Sequence, residues 1–341
     1  MPERWNALQW QGEPGHYEVY YLTLTDPSSG VGFWIRYTMV APLPETGEQA
    51  SCSLWFMAMD PSDPARNVGE KASFPVGALV AEASPFRLRI EDSWLSDHGM
   101  SGSLERDGRR HVWDLRWEPR LPAYGHVHPA LRVARIAKTI LFLPHPDLRI
   151  DGEIEIDGRP LQIEGARGGQ AHLWGSKHAS RWAWAHCNDL TGSDGKPCAD
   201  SFVDGVSVYV PCFGRELGPN TPVVARLDGQ DLLSVAPLAV QRNESDFELT
   251  GWRFEARSRR RKLRGEVSAR KQDLVGVTYH DPDGELAYCY NTEVADMRLE
   301  LFERGTPWGD WRKLDELRSE GRAHFEYAQR RPVEGVELKV R

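Results

Sequence analysis

The chain has 341 residues, 40% of them apolar and 27% charged, with a mean hydropathy of -0.53, which describes a globular protein long enough for two domains and excludes a disordered chain. A formal charge of -8 and a pI of about 5.8 set the net field against phosphate backbones, so nucleic acid is not an expected partner. No apolar run reaches the roughly 18 residues of a spanning helix, and Met1 to Asn6 lacks the apolar core of an export signal; the expected location is the cytoplasm.

Strand signals dominate from the start. His16 to Thr25 alternates, Asp26 to Gly30 turns, Phe33 to Val40 returns, and Ser51 to Met59 follows a Pro-rich turn, a pattern that predicts an antiparallel meander. Asp60 to Gly69 reads as a long loop. Asp107-Gly108 joins Gly102 to Leu104 with His111 to Trp117 as a hairpin, and Asp157-Gly158 does the same for Ile154 to Ile163. Between them, His126 and His128 would point the same way from a strand, as two metal ligands must, but no third ligand sits nearby in sequence.

The next stretch, His172 to Asn188, reads as a loop with a Trp174-Gly175 turn, followed by a buried strand. From Arg181 a period of two places Trp182, Trp184, His186 and Asn188 on one face and Ala183, Ala185 and Cys187 on the other. Further strands are expected near 202–212, 221–227, 246–256 and 262–270, the third restored to one face by a bulge at Gly251. The basic run Arg257 to Lys262 reads as a solvated hairpin loop. Two helices are expected, one from Asp310 to Ser319, where Trp311, Leu314 and Leu317 share a face, and a weaker one from Pro129 to Lys138. Strand after strand must hide its edges, so the fold class is all-β, two β-barrels in tandem with few short helices, divided as 1–165 and 166–341.

The five cysteines, Cys52, Cys187, Cys198, Cys212 and Cys289, are odd in number and lack CxxC spacing, which fits reduced thiols better than disulfides or zinc. The 13 tryptophans either fill cores or line a cavity. The chain has no GxGxxG after a strand, no GxxxxGK[ST], no HExxH and no GxSxG, so the usual signs of nucleotide binding, zinc proteolysis and α/β-hydrolase chemistry are missing.

Trp174-Gly175 followed by Arg181-Trp182-Ala183-Trp184-Ala185-His186-Cys187-Asn188 resembles the WG...(K/R)WxWxxCN signature of tocopherol cyclase-like proteins. Those are similar in turn to the carotenoid hydratase and AttH-like group of tandem lipocalin-like folds, which includes fungal Diels-Alderases. Asp283-Gly284 with Tyr288 to Asn291 is reminiscent of the same group, whereas Ala179-Ser180 replaces the flanking Phe-Pro of the cyclases. The resemblance implies two lipocalin-like barrels. It also implies cyclisation, hydration or isomerisation of a hydrophobic small molecule (prenylated, polyene or polycyclic) without metal or organic cofactor. On this expectation His186, His172 and Asn188 serve proton transfer or orientation, while Trp174, Trp182, Trp184, Lys177 and Tyr288 bind the ligand. Glu91 and Asp92 are candidate carboxylates only by their place in an aromatic stretch. Two alternatives stay open: a non-catalytic carrier of the same kind of ligand, and a polysaccharide-binding sandwich, which would expose Trp182 and Trp184 on a flat face.

Overall fold

The alternation of the first strands decides how the molecule is layered. In His16–Thr25, residues Tyr20, Leu22 and Leu24 turn into one core while Tyr17, Val19 and Tyr21 turn into another, because successive side chains leave a strand on opposite faces. A computed structural model describes residues 3–133, 137–212 and 215–340. Two 12-stranded antiparallel-rich sheets carry nearly all of it. The helices among the described residues are the short Glu3–Asn6, Pro129–Val133 and Pro237–Arg242, beside single 3-10 turns. The remainder of the weaker expected helix, residues 134–136, lies outside the described residues.

Each sheet is organised on a long hairpin. In the first, Thr139–Ile156 pairs with Arg159–Gly175, and the meander His16–Thr25, Gly32–Ala41, Ser51–Met59, Val68–Pro75 is laid against the second arm. In the second, Leu286–Glu303 pairs with Arg312–Gln329, and Arg181–Cys187, Phe202–Cys212, Val223–Leu227 are laid against the second arm in the same sense. The two halves thus repeat one plan without a visible sequence repeat. Each sheet encloses a core of its own, and a third apolar cluster, which includes Tyr17, Tyr21, Trp34, Trp55, Trp182 and Trp184, lies between them. We call this the seam.

Four sequence expectations change. Arg159–Gly175 is one continuous strand of the first sheet, so the chain crosses to the second sheet at residues 176–180 and not at 165/166; Trp174-Gly175 is the end of that strand, with Gly175 opposite both Tyr17 and Thr139. The helix expected from Asp310 is instead the start of Arg312–Gln329, where Leu317 faces Leu299 across the ladder and Leu317 and Ser319 are buried in alternation. A run of about ten residues is marginal as an isolated helix, and the open edge of an 18-residue strand outweighs that propensity. At Gly251 there is no bulge: Glu248 faces Gly251 across a two-residue turn between separate strands. The basic run does form the hairpin turn between Gly251–Arg257 and Arg261–Ser268.

Candidate functional site

The seam face of the second sheet is written in rows of directly opposed residues. His186 faces Asp204 on one side and His324 on the other. The register shift between Thr292 and Ala295 then brings Glu293 against His324. The row therefore reads Asp204, His186, His324, Glu293 over four strands, all buried. One step along, Trp184 lies between Val206 and Glu326.

Asp204 is held ionised. Burial alone would raise its carboxyl, but His126 and His186 outweigh that and keep it below the usual range. His186 Nδ1 lies 3.0 Å from Oδ2, and Trp184 Nε1 donates to Oδ1 at 3.1 Å. His126 arrives from the first half, with Nε2 2.9 Å from Oδ1. A carboxylate only accepts, so His186 turns an Nδ1–H to Asp204, and Nε2 is its free ring nitrogen. That nitrogen is buried and has no hydrogen-bond partner.

Burial drives the other end of the row toward its uncharged forms. Glu293 is raised well above the ordinary carboxyl range, first by burial and then by Glu326, against the pull of His186. Burial pushes His324 down to about 3 despite Asp204 and Asp189. The pair is in contact through Glu293 Oε2 and His324 Nδ1, while Glu293 Oε1 and His324 Nε2 are buried without a partner. Two glycines of the first sheet let the halves close on these groups. A Cβ on Gly32 would stand 2.6 Å from Glu293, and one on Gly169 2.7 Å from His186 Nε2.

The first sheet answers with a row of its own: Ala171, Tyr21, Arg36, Trp55 and Lys71 oppose one another in turn across five strands. Tyr21 meets Trp184 edge-on at 5.5 Å. Its phenol is raised by burial and by Asp204, Glu326 and Glu293, so it faces the acidic row as a neutral hydroxyl.

The residues expected from sequence divide. His186, Trp182 and Trp184 lie in the seam, each tryptophan 6% exposed, which removes the flat exposed face that polysaccharide binding requires. Asn188 is buried at the seam as a clasp, its Nδ2 donating to Gly168 O at 2.7 Å and Asp147 Oδ1 at 2.9 Å. His172 and Trp174 sit inside the first half, away from His186. His172 Nε2 lies 2.8 Å from Glu18 Oε1 and Nδ1 2.6 Å from the Trp5 carbonyl, and Trp174 stacks on Phe142 at 5.7 Å. Lys177 is tied to Asp283 at 2.6 Å and Glu285 at 3.0 Å. Tyr288 packs against the second core, on the face away from Cys289 and the seam. Glu91 and Asp92 form an exposed turn. Cys52, Cys187, Cys198 and Cys289 are free thiols; the Cys212 side chain lies outside the described residues. Among the described residues, no group of three or more His, Cys, Asp or Glu converges as metal ligands would, and no helix is long and apolar enough to cross a membrane.

Sequence reasoning missed Glu293, His324, Asp204, His126 as a seam residue, and Arg36. The signal for Glu293 was present: continuing the alternation of Cys289 and Asn291 by one step lands on it. His324 was hidden by the helical reading of its strand.

The architecture is that of a two-sheet, lipocalin-like all-β protein. Solved structures with this fold include an AttH-like protein from Nitrosomonas europaea (TM-score 0.55, 13% identity, 95% of this chain and 98% of that one). CghA crystallised with Sch210972 also shares it (TM-score 0.56, 11% identity, 95% and 88%), as does kievitone hydratase from Nectria haematococca (TM-score 0.50, 9% identity, 93% and 89%). By sequence the chain is similar to an uncharacterized protein of Mycobacterium tuberculosis, in strains H37Rv and CDC 1551, at 29% identity over 308 residues, 87% of this chain and 84% of the relative. No known protein-family profile matches it.

Proposed function

We propose that this chain is an acid–base catalyst of the hydratase, cyclase or isomerase kind, acting on a hydrophobic small molecule at the seam without a cofactor. The observation that carries the reading is the buried Glu293 carboxyl, held above its ordinary range by burial and Glu326 and with Oε1 free of donors, in one row with an unpartnered His186 Nε2. Stability alone disfavours such an arrangement, because a buried polar atom left without a partner costs about 1–3 kcal/mol. Perturbed, under-satisfied groups of this kind mark functional sites. The names of CghA's ligand-bound structure and of kievitone hydratase point to small-molecule chemistry on this fold, and the His172 to Asn188 stretch resembles tocopherol cyclase-like proteins.

In this reading Glu293 gives its proton to an alkene carbon of the substrate. The cation that develops is stabilised by the faces of Trp184 and Trp34. In hydration, water attacks the cation and loses a proton to His186 Nε2; in cyclisation or isomerisation, a carbon or hydroxyl of the substrate gives up that proton instead. Asp204 holds the resulting imidazolium, and the proton returns along His186 and His324, whose rings lie 5.9 Å apart, to the Glu293 carboxylate. His172, placed by sequence in the same role, acts instead as a strut of the first half. We place the protein in the cytoplasm, with a substrate from secondary metabolism.

The test is untargeted. The protein is incubated in D2O with an apolar extract of its own host and the extract is read by mass spectrometry. The expected result is a compound that gains carbon-bound deuterium with the native protein and not with Glu293→Gln. A compound retained but unchanged by the native protein would establish a carrier instead.

A further inference from the structure

Arg36 is the least explained charge in the seam. It is 5% exposed, its Nε has no hydrogen-bond partner, and among the described residues no carboxylate lies within ion-pair distance of it. Its guanidinium is boxed by Trp34 at 5.1 Å, Trp55 at 5.2 Å and Tyr279 of the second half at 4.4 Å. The nearby carboxylate in the seam, Glu326, is engaged by Trp182 Nε1 and by the Tyr279 hydroxyl at 3.4 Å. A second cation stands on the same ring: Lys71 Nζ lies 4.6 Å over Trp55 and forms no ion pair among the described residues. Burial, Arg36 and Arg106 lower the Lys71 ammonium to about 8, against the weaker pull of the exposed Glu48.

Magnitudes decide what this pairing means. An aromatic contact returns only part of what withdrawing a charge from water costs. Two cations facing each other over one tryptophan add repulsion to that cost. The two cations share one indirect counter-charge, Glu326 behind Tyr279, and no carboxylate among the described residues contacts either of them, so the arrangement is short of one negative charge.

We infer that Arg36, with Lys71 beside it, anchors an acidic group of the substrate, so that the molecule bound in the seam is an apolar carboxylate or an equally acidic enolate or phenolate. The inference rests on the seam as the reaction site and gives it a substrate class. The row Tyr21, Arg36, Trp55, Lys71 supplies the geometry. With strands about 4.8 Å apart, an anion on Arg36 places the adjoining apolar chain over Tyr21 and toward Trp184 and Glu293. The guanidinium fork binds a carboxylate through two parallel hydrogen bonds, which fixes orientation as well as affinity.

The probes are all-trans-retinoic acid and all-trans-retinol, which share one apolar chain and differ in charge, with binding read by tryptophan fluorescence quenching. Retinoate is expected to bind about tenfold more tightly than retinol. Arg36→Met is expected to bring the two to parity while retinol affinity stays within about twofold, which also reports an intact fold. If Arg36→Met does not fold, Lys71→Met on the terminal strand of the sheet carries the test, with about a threefold loss for retinoate and none for retinol. Parity in the native protein, failure of retinoate to bind, or equal losses for both probes in the variant overturns the inference. Glu293→Gln is expected to leave the ratio unchanged. A preserved ratio with no chemistry would therefore refute the reaction, and preserved chemistry at parity would refute the anchor.

Discussion

His172 and His186 are both buried histidines beside a carboxylate, one inside the first half and one in the seam, and their surroundings differ in whether the polar atoms are satisfied. Around His172, Glu18 accepts from the backbone of Gln9 and Trp10, from the Tyr20 hydroxyl and from His172 itself, with His16 at 3.0 Å. Both nitrogens of His172 have partners. Around His186, by contrast, atoms of His186, His324, Glu293 and Asn188 are buried without partners. The same residue types thus build a satisfied strut in one place and an under-satisfied row in the other. A fully satisfied network specifies structure; a half-satisfied one is retained at a cost to stability.

The comparison breaks most sharply under substitution. Glu293→Gln is expected to reduce turnover of the deuterium-gaining compound by about 10²–10⁴-fold, the usual worth of a positioned acid, with the urea unfolding midpoint no lower than native. His172→Ala is expected to do the reverse. Removing one partner of a buried, hydrogen-bonded pair costs about 3–5 kcal/mol, read as a lower urea midpoint, and the turnover that survives belongs to the folded fraction. If His172→Ala abolished turnover at native stability, the division of labour would be wrong.

Acidity separates the two networks by sign. His16, His172 and the Gln9 backbone overcome burial and lower Glu18 from 4.5 to about 2. Its contribution to stability is complete above the unfolded value of 4.5 and is lost as pH falls toward 2. That is worth about 3 kcal/mol from the linkage relation, and comparing native protein with Glu18→Gln in urea titrations across this window measures it. Glu293 is raised, so its contribution is complete below 4.5 and is lost as pH climbs toward its folded value. Glu293→Gln, free of that loss, is expected to raise Tm by a few degrees at pH 8, following the roughly 2–4 °C per kcal/mol of a large domain, and to change it little at pH 4.

Much of the fold was legible because alternation is a local signal: Tyr17, Val19 and Tyr21 against Tyr20, Leu22 and Leu24, or Trp182 and Trp184 against Ala183 and Ala185, can be read from the sequence by counting in twos. The helix expected at Trp311, Leu314 and Leu317 failed because the partner strand, Leu286–Glu303, is a tertiary fact that no window of residues contains. The site was legible in part for the same reason. His186, Trp182 and Trp184 lie on one strand and were found together, whereas Asp204, His324, Glu293, His126 and Arg36 reach them across sheet pairings and across the seam. His172 was grouped with His186 because they are close in sequence, yet the two strands belong to different sheets.

The central claim, that Glu293 is a neutral acid in the folded protein, is tested most directly by infrared spectroscopy of native protein minus Glu293→Gln at pH 7. The expected difference spectrum contains the C=O stretch of a protonated carboxylic acid, shifted by deuterium exchange. A difference spectrum showing only an ionised carboxylate at pH 7 would contradict it.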